Sequence, residues 1–180
     1  MNLDERVAYI KGNPIRSNSQ MPTVIVTNPI DEEWDKNIRH MPWYHTSPES
    51  AYEQKGQFQL RNILLTFGGS EVCMPFKDPD IEEILQRGQL WYGDRTKKVR
   101  GEPCHCHSNS AYQWHRNPDE IVLCTGYALS PDGMWRQHSW CVEPRKQKSR
   151  IIETTVERVA YFGYAMTNAE AEKFYENTYY

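Results

Sequence analysis

Two closely spaced cysteines are the residues of this sequence best suited to chemistry. Cys104 and Cys106 precede a stretch, His107 to His115, that is predicted to form a short helix. A thiol at the start of a helix is a candidate nucleophile, because the helix dipole and the free backbone N–H groups stabilise its thiolate. The three remaining cysteines lie in apolar segments and are expected to fill the core: Cys73, Cys124 and Cys141.

A cysteine nucleophile needs a general base from elsewhere in the fold, and the candidate is His138, which lies on a predicted strand. If segments 138–143 and 148–153 pair as a hairpin around a loop at 144–147, His138 lies directly opposite Glu153. Their Cβ atoms are then about 5 Å apart on one face. A carboxylate in this position orients the imidazole and stabilises its cation. The prediction depends on the register, since a slip of one residue separates the pair.

The order of short motifs between about residues 101 and 165 adds to this picture. They are Cys106-His107-Ser108-Asn109-Ser110, Gly126-Tyr127-Ala128, His138-Ser139-Trp140, Ile152-Glu153-Thr154-Thr155 and Tyr161-Phe162-Gly163. The stretch resembles papain-like and transglutaminase-like cysteine enzymes, and more narrowly small uncharacterised phage and bacterial proteins of that type. Glu153 stands where Asp is usual, and Thr154 stands where Pro is common.

The resemblance implies a Cys-His-Glu triad with Cys106 as nucleophile, His138 as base and Glu153 as the orienting carboxylate. It favours Cys106 over Cys104, because only Cys106 has an asparagine three positions further on. Three residues are auxiliary or oxyanion-hole candidates: Asn109, Gln137 and Cys104.

The expected function is that of a cysteine-dependent enzyme acting on an amide bond of a protein or peptide. Peptidase, amidase, deamidase and acyl-transferase activities all remain open, because the sequence does not show whether water or an amine resolves the acyl-enzyme. We expect no cofactor and no metal.

Two alternatives use the same residues differently. The cluster Cys104-His105-Cys106-His107 could hold zinc in a structural or interaction module, although a second ligand pair at zinc-finger spacing is missing. The chain could also be a binding protein that keeps a catalytically inactive papain-like fold.

Composition limits the partners. The 180 residues fit one domain, and 21 Lys+Arg against 24 Asp+Glu leave a formal net charge of −3. That balance argues against a nucleic-acid partner. No apolar run is long enough to suggest a membrane partner, and no secretion signal is visible. We therefore expect a cytoplasmic protein with reduced thiols.

The elements that must position the site are mostly strands. After the Cys106 helix, strands are predicted at Ile121 to Leu129, Met134 to Val142, Arg150 to Thr155 and Arg158 to Met166. A capping box, Thr167-Asn168-Ala169-Glu170, opens a final helix that runs to about Asn177. This order predicts the α+β class, and the resemblance implies a papain-like or transglutaminase-like core whose N-terminal helix packs on an antiparallel sheet.

Residues 1–100 are predicted to be a loop-rich embellishment that shapes the cleft of a 101–180 catalytic core, within the same domain. Prolines interrupt the stretch from residue 14 to residue 48. The elements expected here are a strand at Thr23 to Thr27, a strand or buried segment at Gln59 to Phe67, and a short helix at Asp78 to Gly88.

Overall fold

The structure is a computed structural model that describes residues 48–75, 78–145 and 149–179. Within these ranges the elements are α1 (Pro48–Thr66), β1 (Glu71–Cys73), α2 (Ile81–Arg87), β2 (Gln89–Tyr92), β3 (Thr96–Lys98), α3 (Cys106–Arg116), β4 (Val122–Leu129), β5 (Met134–Glu143), β6 (Arg150–Glu153), β7 (Ala160–Ala165) and α4 (Asn168–Tyr179). The α+β class is confirmed. The predicted strand at Thr23 to Thr27 lies outside the described residues.

The chain separates into two compact units. Of the described residues, one unit contains those up to Gln86 together with the turn Asp132–Met134, and the other contains Arg87–Pro131 and those from Trp135 onward. The second unit therefore starts before residue 101, where the sequence placed the catalytic core. The reason is that β2 and β3 pair with β7 and β6 in the main sheet. All six candidate site residues lie in this second unit.

In the first unit, the expected strand at Gln59 to Phe67 is wrong, because this stretch runs to the end of α1. The alternative of a buried segment is confirmed, since Leu60, Ile63, Leu64 and Phe67 are all buried. Their spacing of three and four residues is that of one helix face, which explains why a helix buries them together. The predicted helix at Asp78 to Gly88 appears as the shorter α2.

The second unit is built on a mixed sheet with strand order β2-β7-β4-β5-β6-β3. Neighbouring strands are antiparallel except β3 and β6, which run parallel. The expectation of a purely antiparallel sheet is therefore wrong at this edge. A three-residue helical turn, Gly93–Arg95, joins β2 to β3, although these strands form opposite edges of the sheet. The sheet must curl for so short a connection to span its edges.

Two glycines allow close approach of the strands beside His138. Gly126 pairs with His138 on one side and with Gly163 on the other. Gly126 has a φ of +154°, and a Cβ there would lie 2.3 Å from the Phe162 carbonyl oxygen; a Cβ at Gly163 would lie 2.1 Å from the Thr125 carbonyl oxygen. No side chain tolerates such contacts, so both positions need glycine.

Helix α3 packs against the sheet through polar as well as apolar contacts. The buried Ser110 hydroxyl donates to the Ser139 carbonyl oxygen at 2.9 Å, and the Cys141 thiol donates to the Ser110 carbonyl oxygen at 3.3 Å. Helix α4 packs on α3, where the rings of His115 and Tyr175 stack with centroids 4.1 Å apart. The expected packing of the Cys106 helix on the sheet is thus present.

The capping box at the start of α4 is confirmed. Thr167 donates its backbone N–H and its hydroxyl to Glu170 Oε2, and the Glu170 N–H donates to Thr167 Oγ1 at 3.3 Å. Arg87 adds an ion pair to Glu170 at 2.6 Å. These contacts lower the pKa of Glu170 to about 2, with the Arg87 hydrogen bond as the largest cause, and they anchor the helix that supports α3.

Candidate active site

Cys106 is the first residue of α3. Helical N–H groups at this position have no intrahelical partner, so the thiol lies where a helix stabilises negative charge. The turn before the helix holds Cys104 at a φ of 63°, a left-handed conformation that is uncommon for a residue with a side chain. The sequence prediction of a cysteine at a helix start therefore matches the structure.

The segment leading into α3 is fixed against the end of β6. The Val99 N–H donates to the Glu153 carbonyl oxygen at 2.8 Å. A Cβ at Gly101 would lie 2.6 Å from the Asn109 side chain and 2.7 Å from the Thr154 carbonyl oxygen, so glycine permits this close passage. The segment from β3 to α3 thus passes the end of β6, where Glu153 lies, before it reaches Cys106.

His138 and Glu153 form a buried pair. His138 Nε2 lies 2.8 Å from Glu153 Oε2, and the two side chains are 1% and 0% exposed. The register that led to this pair is nevertheless wrong by two residues, because β5 and β6 pair Cys141 with Ile152. A shift of two residues keeps both side chains on the same face, so Glu153 reaches His138 diagonally rather than from directly opposite.

Glu153 accepts four hydrogen bonds. Oε2 accepts from His138 and from the Tyr161 hydroxyl at 2.9 Å. Oε1 accepts from the Thr155 backbone N–H at 2.8 Å and from its hydroxyl at 2.9 Å. Burial alone would raise the pKa of Glu153, but the bonds to His138 and Thr155 and the His138 charge lower it. The residue is therefore a carboxylate that can only accept hydrogen bonds.

This carboxylate fixes the tautomer of His138. Because Glu153 accepts, His138 Nε2 must carry a proton, and Nδ1 is the ring nitrogen left for the thiol. Burial alone would lower the pKa of His138, but the hydrogen bonds and charges of Cys106 and Glu153 outweigh it, and its pKa is raised. The imidazole is thus suited to take and hold the proton of the Cys106 thiol.

Burial on its own would raise the pKa of the Cys106 thiol, but hydrogen bonding to His107 and His138 and the charges of their imidazoles lower this pKa to about 5. The lowered pKa of Cys106 and the raised pKa of His138 together favour a thiolate paired with an imidazolium. Cys106 is partly exposed, so this thiolate is open to attack a carbonyl group.

The three auxiliary candidates differ in what they can contribute. Asn109 gives both of its polar atoms to Glu102: Oδ1 accepts from the Glu102 N–H at 3.1 Å, and Nδ2 donates to the Glu102 carbonyl oxygen at 2.8 Å. Asn109 therefore braces the segment before α3 and is not placed as an oxyanion-hole donor. Gln137 follows the strand alternation to the face opposite His138, which argues against the same role. Cys104 is exposed.

The zinc alternative finds no support in this geometry. Within residues 48–75, 78–145 and 149–179, no three side chains of the metal-binding types converge on one point. In the Cys104–His107 cluster, His105 Nδ1 instead contacts the Pro103 carbonyl oxygen at 2.8 Å.

Several functional contacts escape sequence reasoning. From the sequence, His107 is a candidate only as a zinc ligand, whereas in the structure its Nδ1 lies 2.7 Å from Ser139 Oγ and its imidazole lowers the pKa of Cys106. Tyr161 and Thr155 appear only as parts of motifs, yet they supply three of the four hydrogen bonds to Glu153. Their hydroxyl and amide donors can be recognised as partners of Glu153 only once the pairing of the strands is known.

Comparisons of the chain with protein-family models, curated proteins and solved structures find no significant match. Among the described helices, none is both long enough and apolar enough to cross a membrane. The functional interpretation therefore depends on the chemistry of the site itself.

Proposed function

We propose that the protein is a cysteine-dependent enzyme that acts on an amide bond of a protein or peptide through Cys106, His138 and Glu153. The observation that carries the proposal is the buried hydrogen bond of 2.8 Å between Glu153 and His138, whose imidazole lowers the pKa of the Cys106 thiol at the start of α3. A nucleophile, a base and an orienting carboxylate in this order are the minimum machinery of acyl transfer. The resemblance of residues 101–165 to papain-like and transglutaminase-like enzymes supports the same function and a core of that type.

In the first half of the reaction, the Cys106 thiolate attacks the carbonyl carbon of the amide, and the electron pair of the C=O bond moves to oxygen. The free N–H groups at the start of α3, including that of Cys106, are suited to stabilise this oxyanion. When the tetrahedral intermediate collapses, the C–N bond breaks and His138 Nδ1–H protonates the departing amine. The product is a thioester on Cys106.

In the second half, water or an amine attacks the thioester. His138, now neutral, takes a proton from the attacking group, and the carbonyl carbon transfers from sulfur to oxygen or nitrogen. Glu153 stabilises the imidazolium each time it forms. The contact between Cys106 and His138 counts against an inactive binding protein, because such a protein has no need to keep a thiol and an imidazole in hydrogen-bond contact.

Acylation by p-nitrophenyl acetate tests the proposal without knowledge of the natural substrate. The wild-type protein should release a burst of p-nitrophenolate that is stoichiometric with protein, and peptide mass spectrometry should locate the acetyl group on Cys106. Cys106→Ala should abolish the burst, whereas the matched variant Cys104→Ala should retain it. An acetyl group found elsewhere, or a burst that survives Cys106→Ala, would overturn the proposal.

A second step asks which amide chemistry follows. A library of peptide amides incubated with the protein, with and without hydroxylamine, distinguishes hydrolysis from transfer. New carboxyl termini indicate a hydrolase, whereas hydroxamates that exceed the carboxyl products indicate that amines resolve the acyl-enzyme. No turnover of any amide, despite acylation by the ester, would exclude a peptide-bond substrate.

A further inference from the structure

The Glu153 carboxylate is held at both of its oxygens by residues that take no part in the proposed proton transfers. The Thr155 backbone N–H and hydroxyl donate to Oε1 at 2.8 and 2.9 Å. The Tyr161 hydroxyl donates to Oε2 at 2.9 Å, and His138 Nε2–H donates to the same oxygen at 2.8 Å. Because each oxygen has a donor of its own besides the imidazole, the plane of the carboxylate is set independently of His138.

The Tyr161 hydroxyl reaches Glu153 from a distant strand. Tyr161 lies on β7 and Glu153 on β6, and β4 and β5 separate these strands in the sheet. In a flat sheet, strands three places apart are about 14 Å apart, and side chains that stand perpendicular to it do not meet over that distance. The hydrogen bond therefore forms across the concave face of the curled sheet, on which His138 also lies.

The ring of Tyr161 is confined by its neighbours. The strand that carries it is paired on both sides, with β2 and with β4. The ring centroid lies 5.1 Å from that of Trp140 and 6.1 Å from that of His138. Tyr161 and Glu153 are both 0% exposed. Water therefore does not compete with the hydroxyl for Glu153 Oε2.

The hydroxyl proton of Tyr161 stays in place while His138 changes its charge. Burial and the Glu153 charge raise the pKa of Tyr161, so its side chain remains neutral. The hydroxyl donates to Glu153 whether the imidazole is neutral or cationic, because Nε2 carries a proton in both forms. The carboxylate then keeps one lone pair of Oε2 toward His138 Nε2, and Nδ1 remains the nitrogen for the nucleophile.

We propose that Tyr161 is a positioning residue of the candidate active site: its hydroxyl holds Glu153 Oε2, and through this carboxylate it sets the orientation of the His138 imidazole. This role rests on the proposed function, since it is expressed only in the proton transfers of His138. It adds to the Cys-His-Glu triad a fourth side chain, supplied by β7, that acts through Glu153.

Tyr161→Phe tests this role, because it removes the hydroxyl and keeps the ring. After acylation by p-nitrophenyl acetate and removal of the ester, mass spectrometry follows the loss of the acetyl group from Cys106 at the pH of its maximum rate. This rate constant belongs to folded, acylated molecules, so a loss of stability alone does not change it. The variant should deacylate about ten-fold more slowly or less, down to about a hundred-fold, the range for loss of a hydrogen bond to a charged group.

Tyr164→Phe is the matched control. Tyr164 is a buried tyrosine of the same strand, and its position three residues further along places its side chain on the other face of the sheet. The Tyr164→Phe protein should deacylate at the wild-type rate. A loss equal to that of Tyr161→Phe would show that any buried tyrosine of β7 matters, and it would overturn the inference.

The double variant Tyr161→Phe/Glu153→Gln separates positioning from a general loss of packing. Glu153→Gln already removes the carboxylate through which the hydroxyl acts. Adding Tyr161→Phe to it should therefore change deacylation by less than about two-fold. If the two losses multiply instead, the hydroxyl acts independently of Glu153 and the inference is wrong.

A second replacement covers the case in which Tyr161→Phe does not fold. With 4-fluorophenylalanine in place of Tyr161, the space of the hydroxyl is filled without a donor, and deacylation should be slowed in the same range. A wild-type rate in either folded protein overturns the inference and leaves the enzyme proposal standing. A wild-type protein that never acylates on Cys106 gives a different result, because it overturns the proposed function and the role of Tyr161 with it.

Discussion

Replacing Glu153 by Gln changes one buried oxygen to an NH₂ group, and the surrounding donors dictate how the new amide must lie. The Thr155 backbone N–H points at Oε1 from 2.8 Å, and a backbone N–H cannot turn into an acceptor. The oxygen of the new side-chain amide must therefore stay beside Thr155. Its NH₂ group then faces His138 Nε2 and the Tyr161 hydroxyl.

An NH₂ group donates to His138 Nε2, and so it selects the tautomer with the proton on Nδ1. No lone pair then faces the Cys106 sulfur, and the imidazolium also loses its counter-charge. We expect acyl transfer to fall by about 10²–10⁴-fold, the range for loss of a positioned base or of its orienting carboxylate. The midpoint of Cys106 ionisation should rise from about 5. A rise of about two units lowers the thiolate fraction at one pH unit above the wild-type midpoint about ten-fold.

The assay combines iodoacetamide alkylation across pH with p-nitrophenyl acetate kinetics on the same preparation. Glu143→Gln is the matched control, because it makes the same substitution on β5. The pKa of Glu143 is also lowered: burial alone would raise it, but the bonds that the Glu143 carboxylate accepts from Arg145 and Arg150 on the surface lower it. Glu143→Gln should match the wild type in both measurements. A folded Glu153→Gln protein, shown by an unchanged circular dichroism spectrum, with wild-type midpoint and acylation rate would refute the reasoning.

Two further predictions concern the scaffold. Gly126→Ala should lower the free energy of unfolding by about 3 kcal/mol or more in urea titrations, because a Cβ there meets the β7 backbone, 2.3 Å from the Phe162 carbonyl oxygen. Gly133→Ala is the control, because Gly133 also has a positive φ but its nearest contact is the Ser70 hydroxyl at 3.1 Å. The control should cost less, and equal losses would show that close strand approach is not the cause. Asn109→Ala should cost about 1 kcal/mol and also reduce the burst, because it frees the segment before Cys106. Its control Asn117→Ala, at the other end of α3, should affect stability alone, and a normal burst in Asn109→Ala would contradict the bracing role.

The site is more predictable from the sequence than the fold that carries it. The helix start at Cys106 follows from local signals, and the His138–Glu153 pair needs only the correct face. The observed pairing of β5 with β6 differs from the expected one by two residues, and a shift of two leaves each side chain on the same face of the sheet. The role of Asn109 was less accessible, because its partner Glu102 is determined by a loop conformation.

The parts that could not be predicted depend on contacts between distant segments. The apolar positions from Leu60 to Phe67 fit a helix face, but the short apolar run Ile63-Leu64-Leu65, followed by Gly68-Gly69, is also typical of a strand. Only the burial of one face decides between them. The parallel pairing of β3 with β6 joins residues more than fifty positions apart. The contact of His107 with Ser139 could not be predicted either, because Ser139 lies on β5, 32 residues further along the chain.

The pH dependence of Cys106 alkylation in the wild-type protein tests the central claim most directly. Iodoacetamide labelling followed by peptide mass spectrometry measures Cys106 and the exposed Cys104 in one sample, so Cys104 corrects for changes in the reagent. The thiolate–imidazolium pair predicts that labelling of Cys106 rises with a midpoint near 5 and stays high at neutral pH. A midpoint near the ordinary thiol value of about 8.5 would contradict it.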